Sequence, residues 1–261
     1  MKTISLFLFA LISVFCYSRE NISLHVFVSL CDNEYQGIVP VPKNIGNGDD
    51  PNNNLYWGLS EGVRGNFNKN KKWELVYNRK YTNTAVSPIV YERCVYRSLD
   101  TNFFLIADAY RGREIYAATV DFLSASINHR DEYLSITNKG VVYIIPVGRG
   151  ARNIAYIGHN GLMDFALPNI PIENQNNRKN AIVLCCKSMH YFEHVLRKNG
   201  ANPVLLTKQL MYPASCILEN VMYGMMRNES KKQLLHRAAE AYAKNQNISV
   251  RSASGIFYEM E

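Results

Sequence analysis

Short apolar runs recur along the chain, and several stop abruptly at a polar or reactive residue. The first, residues 24–30, is rich in β-branched side chains and ends at Cys31-Asp32-Asn33. Others occupy residues 73–78, 103–107, 141–146, 153–158, 181–185 and 204–207; the third of these seven runs meets Asp108, the fifth meets His159 and the sixth meets Cys186. Runs of this length, bounded by polar residues, predict strands buried on both faces, as in a parallel sheet. Helical periodicity fills the intervals. Residues 113–127 place Ile115, Ala118, Thr119, Phe122 and Leu123 along one face; residues 189–198 stop at Asn199-Gly200; residues 213–226 and 231–245 follow, the last with Ser230 as N-cap. Residues 55–67 carry a weaker helical pattern, the stretch through Ser87-Pro88 reads as polar connection, and residues 36–54 and 167–180 read as loops. Strands alternating with helices predict βαβ units, right-handed crossovers and an α/β fold with a mostly parallel sheet covered on both faces.

With 261 residues, 47% apolar and 20% charged, the chain can bury a full core in one domain, which excludes a disordered protein. The first eighteen residues stand apart: Met1-Lys2 is basic, residues 4–15 are almost wholly apolar, and Cys16-Tyr17-Ser18 offers small residues for cleavage. That layout predicts a signal peptide over 1–18, a mature α/β domain over 19–261, and a secreted or periplasmic protein; a lipid anchor on Cys16 is the alternative. No second segment approaches the ~18 apolar residues of a membrane span, so stable membrane insertion is not expected. Losing Lys2 with the signal lowers the formal charge from +7 to +6. The basic residues are scattered apart from Lys69, Lys71 and Lys72, and export argues against nucleic acid as a partner.

Of six cysteines, Cys16 would leave with the signal, and Cys31, Cys94, Cys185, Cys186 and Cys216 would remain. An odd number in an oxidising compartment leaves a free thiol. No spacing makes a zinc site, since there is no C-x2-C and His190 and His194 lack the Glu of H-E-x-x-H, and the reading calls for no cofactor. Asp49 and Asp50, in the Asn-rich part of the 36–54 loop, match no calcium-loop pattern and read as turn chemistry.

A thiol and an imidazole delivered to one sheet edge by successive strands can act as nucleophile and base. Adjacent strand residues point to opposite faces, so only one of Cys185 and Cys186 can face such a site. Cys186, the last residue before the Lys187-Ser188 turn, is the one favoured, with Cys185 in the core. The blocks Gly158-His159-Asn160-Gly161 and Leu184-Cys185-Cys186-Lys187-Ser188 resemble those of the caspase-like superfamily of cysteine peptidases, which places a His-Gly pair after one hydrophobic strand and a Cys after the next. The resemblance implies a single caspase-like (flavodoxin/Rossmann-like) three-layer sandwich. It also implies an exported cysteine hydrolase acting on a peptide or protein substrate, with His159 as general base or acid, Cys186 as nucleophile, and the Gly161 and Cys186 amides as oxyanion donors. Two departures are visible: Asn160 intervenes between His159 and Gly161, and the His-to-Cys interval of 27 residues is shorter than the roughly 50 of caspases. Asp32 and Asp108, at the ends of other runs, are candidates to orient His159 or to line a pocket for basic substrate groups, and Asp164 is a third candidate. The competing expectation is a caspase-like or flavodoxin-like module that binds a peptide or glycan without chemistry.

Overall fold

The computed structural model describes residues 21–81, 88–127, 130–167 and 179–259. The expected signal segment and most of the 167–180 loop lie outside the described residues. In chain order the elements are β1 (Ile22–Ser29), α1 (Val63–Lys69), β2 (Trp73–Lys80), β3 (Val90–Ser98), β4 (Phe103–Tyr110), α2 (Ile115–Ala125), β5 (Tyr133–Asn138), β6 (Val141–Pro146), β7 (Asn153–Ile157), β8 (Asn180–Leu184), α3 (Ser188–Lys198), β9 (Asn202–Thr207), α4 (Ser215–Met226), α5 (Lys231–Gln246), α6 (Val250–Ser254) and β10 (Phe257–Tyr258).

β1 is buried at all but its first position because it lies mid-sheet and is covered on both faces. Eight strands form one sheet in the order β10-β9-β8-β7-β1-β4-β3-β2. β1 pairs in parallel with β4 and β7, and β8 in parallel with β7 and β9. The outer strands β2, β3 and β10 run antiparallel to their neighbours. The fold is therefore α/β with a large, mostly parallel sheet. Alternation along β1 sorts the layers: Leu24, Val26 and Val28 pack with residues of α1, α4 and α5, whereas Phe27 packs with residues of α2 and α3. β5 and β6 form a separate hairpin whose Ile136 and Ile145 pack on Val76, Val95, Phe104 and Ile106 of the sheet's antiparallel end. At that end β2 carries a bulge between Leu75 and Tyr77 and closes with exposed Arg79 and Lys80; at the other, β10 is only two residues long.

Two of the expected elements are corrected. The polar stretch before residue 103 contains the nine-residue strand β3, hidden because it carries Glu92, Arg93 and Arg97. Glu92 is buried, and its carboxylate accepts from Trp57 Nε1 (2.7 Å), Arg64 Nη1 (2.7 Å) and Asn78 Nδ2 (2.8 Å), so charge is accommodated by pairing. The helix expected over 55–67 shrinks to α1, because the residues before it turn about Asn54. The buried Asn54 side chain accepts from the amides of Cys31 (3.0 Å) and Tyr56 (3.1 Å) and donates to Cys31 O (2.8 Å) and Asn47 O (3.0 Å). It thereby pins the end of the long loop to the exit of β1. Asp50 caps the amide of Asn52 (3.0 Å), in keeping with turn chemistry, whereas Asp49 is held by long-range ion pairs with Arg111 (2.8 Å) and Arg113 (2.6 Å) just after β4.

Asp108 does not end its strand; β4 continues to Tyr110, and the carboxylate is buried in the layer. Arg93 Nε and Nη2 grip it from β3 at 2.6 Å each, and His25 Nε2 meets it from β1 at 3.0 Å. The amide of Gly148 donates to His25 Nδ1 (2.8 Å), which places the ring proton on Nε2, toward Asp108. Burial raises the Asp108 pKa, but the paired Arg93 bonds and His25 outweigh it and hold the carboxyl down at about 2. A depressed folded-state pKa gives stability that is present above the ordinary value and lost as pH falls through the folded one. Urea unfolding should therefore show about 2 kcal/mol of Asp108-dependent stability disappearing between about pH 4 and 2. Arg93→Met, which strands the carboxylate, should destabilise by about 3 kcal/mol at pH 7.

Candidate functional site

β7 and β8 are paired without offset from Asn153↔Asn180 to Ile157↔Leu184. Both chains therefore leave the sheet side by side at its carboxyl edge, one leading to His159 and the other to Cys186. The turn after β7 depends on Gly158, whose φ of 146° lies in a region that L side chains rarely adopt. A Cβ there would also sit 2.8 Å from Ser29 O, at the end of neighbouring β1. After β8, Lys187 takes a left-handed conformation (φ 50°) and α3 begins at Ser188.

His159 is 6% exposed, and its Nε2 is 2.8 Å from Asp164 Oδ2. Asp164 closes the short 3₁₀ turn Gly161–Met163, and the Gly37 amide donates to the same oxygen (2.9 Å). Of the three aspartates singled out in the sequence, Asp164 is the one bonded to His159. With Nε2–H donated to Asp164, Nδ1 is the nitrogen left to accept a proton. Asn160, fully buried, donates from Nδ2 to Cys186 O (2.7 Å) and accepts the Leu162 amide at Oδ1 (3.2 Å). The residue that interrupts the His-Gly pair thus ties the two strand exits together.

Cys185 is fully buried among the α2 and α3 side chains, and burial pushes its thiol well above the ordinary range. Cys186 is partly exposed and turns to the opposite face, where its Sγ lies 3.5 Å from Met211 N and 3.6 Å from Met211 O. Among the described residues no hydrogen bond joins this thiol to the His159 ring, and neither the Gly161 nor the Cys186 amide has a hydrogen-bond partner. Tyr56 lies close by; burial first, then Cys31 and Cys186, raise its pKa. Burial likewise lifts Cys31 to about 11, Cys94 to about 12 and Cys216 to about 11.

Asp32 follows β1 at the same edge but is 5% exposed, and its Oδ1 accepts the amides of Glu34 (2.9 Å) and Tyr35 (3.3 Å). Gly48 and Gly112 press against its carboxylate, so closely that a Cβ on either would overlap it. Asp108 is held by Arg93 and His25. Neither carboxylate contacts His159. Asn160, Gly37 and Met211 were missed in the sequence; Asn160 adjoined the His motif, whereas Gly37 and Met211 come from loops far away in the chain. Among the described residues no group of three or more His, Cys, Asp or Glu side chains is placed to hold a metal ion, and no helix is long and apolar enough to cross a membrane.

No family model, no curated protein and no solved structure matches this chain.

Iodoacetamide at pH 8, followed by peptide mapping, should modify Cys186 well before Cys185, Cys31 and Cys94, whose burial withholds both access and the thiolate. Gly158→Ala should lower stability by about 1–3 kcal/mol in urea unfolding, through backbone strain and the contact with Ser29 O.

Proposed function

We propose that this chain is an exported cysteine peptidase of caspase-like architecture, working through Cys186, His159 and Asp164. The observation that carries the reading is the adjacent exit of two parallel strands at one edge, one bearing an imidazole oriented by a carboxylate and the other a partly exposed thiol. The strand order supports it too, since the His and the Cys follow successive parallel strands, as in the family that the two sequence blocks resemble.

In this mechanism Asp164 fixes the His159 ring with its proton on Nε2, so that Nδ1 accepts the Cys186 thiol proton. A rotation about the Cys186 Cα–Cβ bond carries Sγ away from the Met211 backbone and toward the ring. The thiolate attacks the scissile carbonyl carbon, and the unpartnered Gly161 and Cys186 amides take the charge that develops on its oxygen. His159 returns the proton to the leaving amine, giving a thioester, and then activates the water that cleaves it. Asp164, half shielded at the edge, also stabilises the imidazolium formed in each half-reaction.

A second reading, a module that binds a peptide without cleaving it, is favoured by one observation: Cys186 Sγ is engaged with Met211 N and O rather than with His159.

A peptide library incubated with purified protein separates the two readings. Cys186→Ala should abolish cleavage while leaving thermal unfolding unchanged, and His159→Ala should also abolish it, with a lower unfolding temperature because a buried ring and its bond to Asp164 are lost. Asp164→Asn should lower kcat by about 100-fold with little change in KM. Cleavage that persists in Cys186→Ala, or a wild-type protein that binds peptides yet neither cleaves them nor reacts with a peptidyl acyloxymethyl ketone at Cys186, would overturn the peptidase reading.

A further inference from the structure

The amino edge of the sheet, opposite the His159–Cys186 edge, opens into a cleft of about 780 Å³ between the strand starts and the junction of α4 with α5. That volume falls within the range of small-ligand sites, ~300–1,000 Å³. Its polar side is a ladder of asparagines, each the first residue of a strand and each in register with the next: Asn153, Asn180 and Asn202. The ladder has one direction. Asn202 Nδ2 donates to Asn180 Oδ1 (3.0 Å), Asn180 Nδ2 to Asn153 Oδ1 (3.0 Å), and Asn153 Nδ2 to Ser23 O (3.0 Å). Among the described residues each amide spends one N–H and keeps a second, and Asn202 Oδ1 accepts no hydrogen bond. The cleft therefore has amide donors spaced at the strand repeat of ~4.8 Å and an open amide acceptor at its Asn202 end.

The apolar lining is formed by Phe103 and Val204 of the sheet and by Met226 of α4 and Leu234 of α5. Methionine in such a lining adapts to side chains of different shape. The charged residues of the lining are Arg152, Glu229 and Lys231. Glu229 lines the cleft but is clamped by Arg237, with contacts of 2.5 and 2.6 Å to its two oxygens. Lys231, at the first turn of α5, has no ion-pair partner among the described residues.

We propose that this cleft binds a short apolar peptide through its free carboxyl end. The carboxylate meets Lys231, the peptide amides pair with the asparagine ladder, and the apolar side chains pack on Met226, Leu234, Val204 and Phe103. Side-chain amides of asparagine offer a donor and an acceptor together, which suits the peptide group, and no other amides in the cleft form such a row. The site stands on the amino edge alone and does not rest on the peptidase reading.

N-acetyl-trileucine with a free carboxylate is the probe, titrated calorimetrically into the Cys186→Ala protein so that hydrolysis cannot intrude. One molecule should bind per chain. Its C-terminal amide should bind at least about tenfold more weakly, because the charge-assisted contact to Lys231 is lost, and Lys231→Ala should show the same loss for the acid while binding the amide as before. Met226→Trp, which fills the cleft, should abolish binding; should that variant unfold, the comparison of acid with amide in Lys231→Ala decides alone. Acid and amide of equal affinity, an unchanged affinity in Lys231→Ala, or no heat of binding at millimolar probe would overturn the proposal. Because the titration uses a protein without its thiol, a negative result leaves the cleavage experiment untouched, and the reverse holds as well.

Discussion

Parallel strands paired without offset set the geometry on which the rest of the molecule depends. β7 and β8 start together and end together, and β1 lies against β7 in register. Every residue that follows these strands therefore emerges at a common level, and each neighbouring exit is displaced sideways by one strand spacing, ~4.8 Å. Parallel pairing leaves the sheet no freedom to tolerate a one-residue slip, since a slip would turn Ile154 and Tyr156 from the α2 and α3 layer to the other face. The edge is then fastened by side chains: Asn54 holds the exit of β1, and Asn160 joins the exits of β7 and β8.

How much of this could be read from the chain differs by element. The apolar runs of β1, β4, β7, β8 and β9 are legible because strands buried on both faces must be continuous stretches of hydrophobic residues. β3 is not, because its burial is achieved through charge pairing. Glu92 and Arg93 look like solvated residues in a sequence, and only the arrival of Trp57, Arg64, Asn78 and Asp108 from other elements makes a buried strand of them. The hairpin of β5 and β6 was half visible for a related reason. Residues 141–146 are apolar throughout, whereas β5 has the alternation of a strand covered on one side only.

The site divides in the same way. Strand alternation alone separates Cys185 from Cys186, and the structure places one in the core and the other partly in solvent. The partner of His159 was harder to choose, because Asp32, Asp108 and Asp164 all stand near strand exits in the sequence. Asp108 is two residues short of its strand's end, and that small difference in register puts it inside the layer, within reach of Arg93, and away from the edge. Asp164 reaches His159 through a tight local turn, which is a short-range relationship that spacing could have favoured. The contact of Met211 with Cys186 joins loops 25 residues apart and leaves no trace in either segment alone.

The two borders of the large sheet bear on how the protein behaves in a crowd of its own copies. An unpaired strand exposes a row of backbone donors and acceptors that another chain can adopt as a template. Here β2 is bent by its bulge and ends in Arg79 and Lys80, so a second sheet approaching it would meet both a kink and a pair of positive charges. On the far side β10 offers only two residues, too few to seed a stable ladder. Both borders thus work against fibre growth, which lets an eight-stranded sheet persist at the concentrations reached during synthesis without recruiting its neighbours.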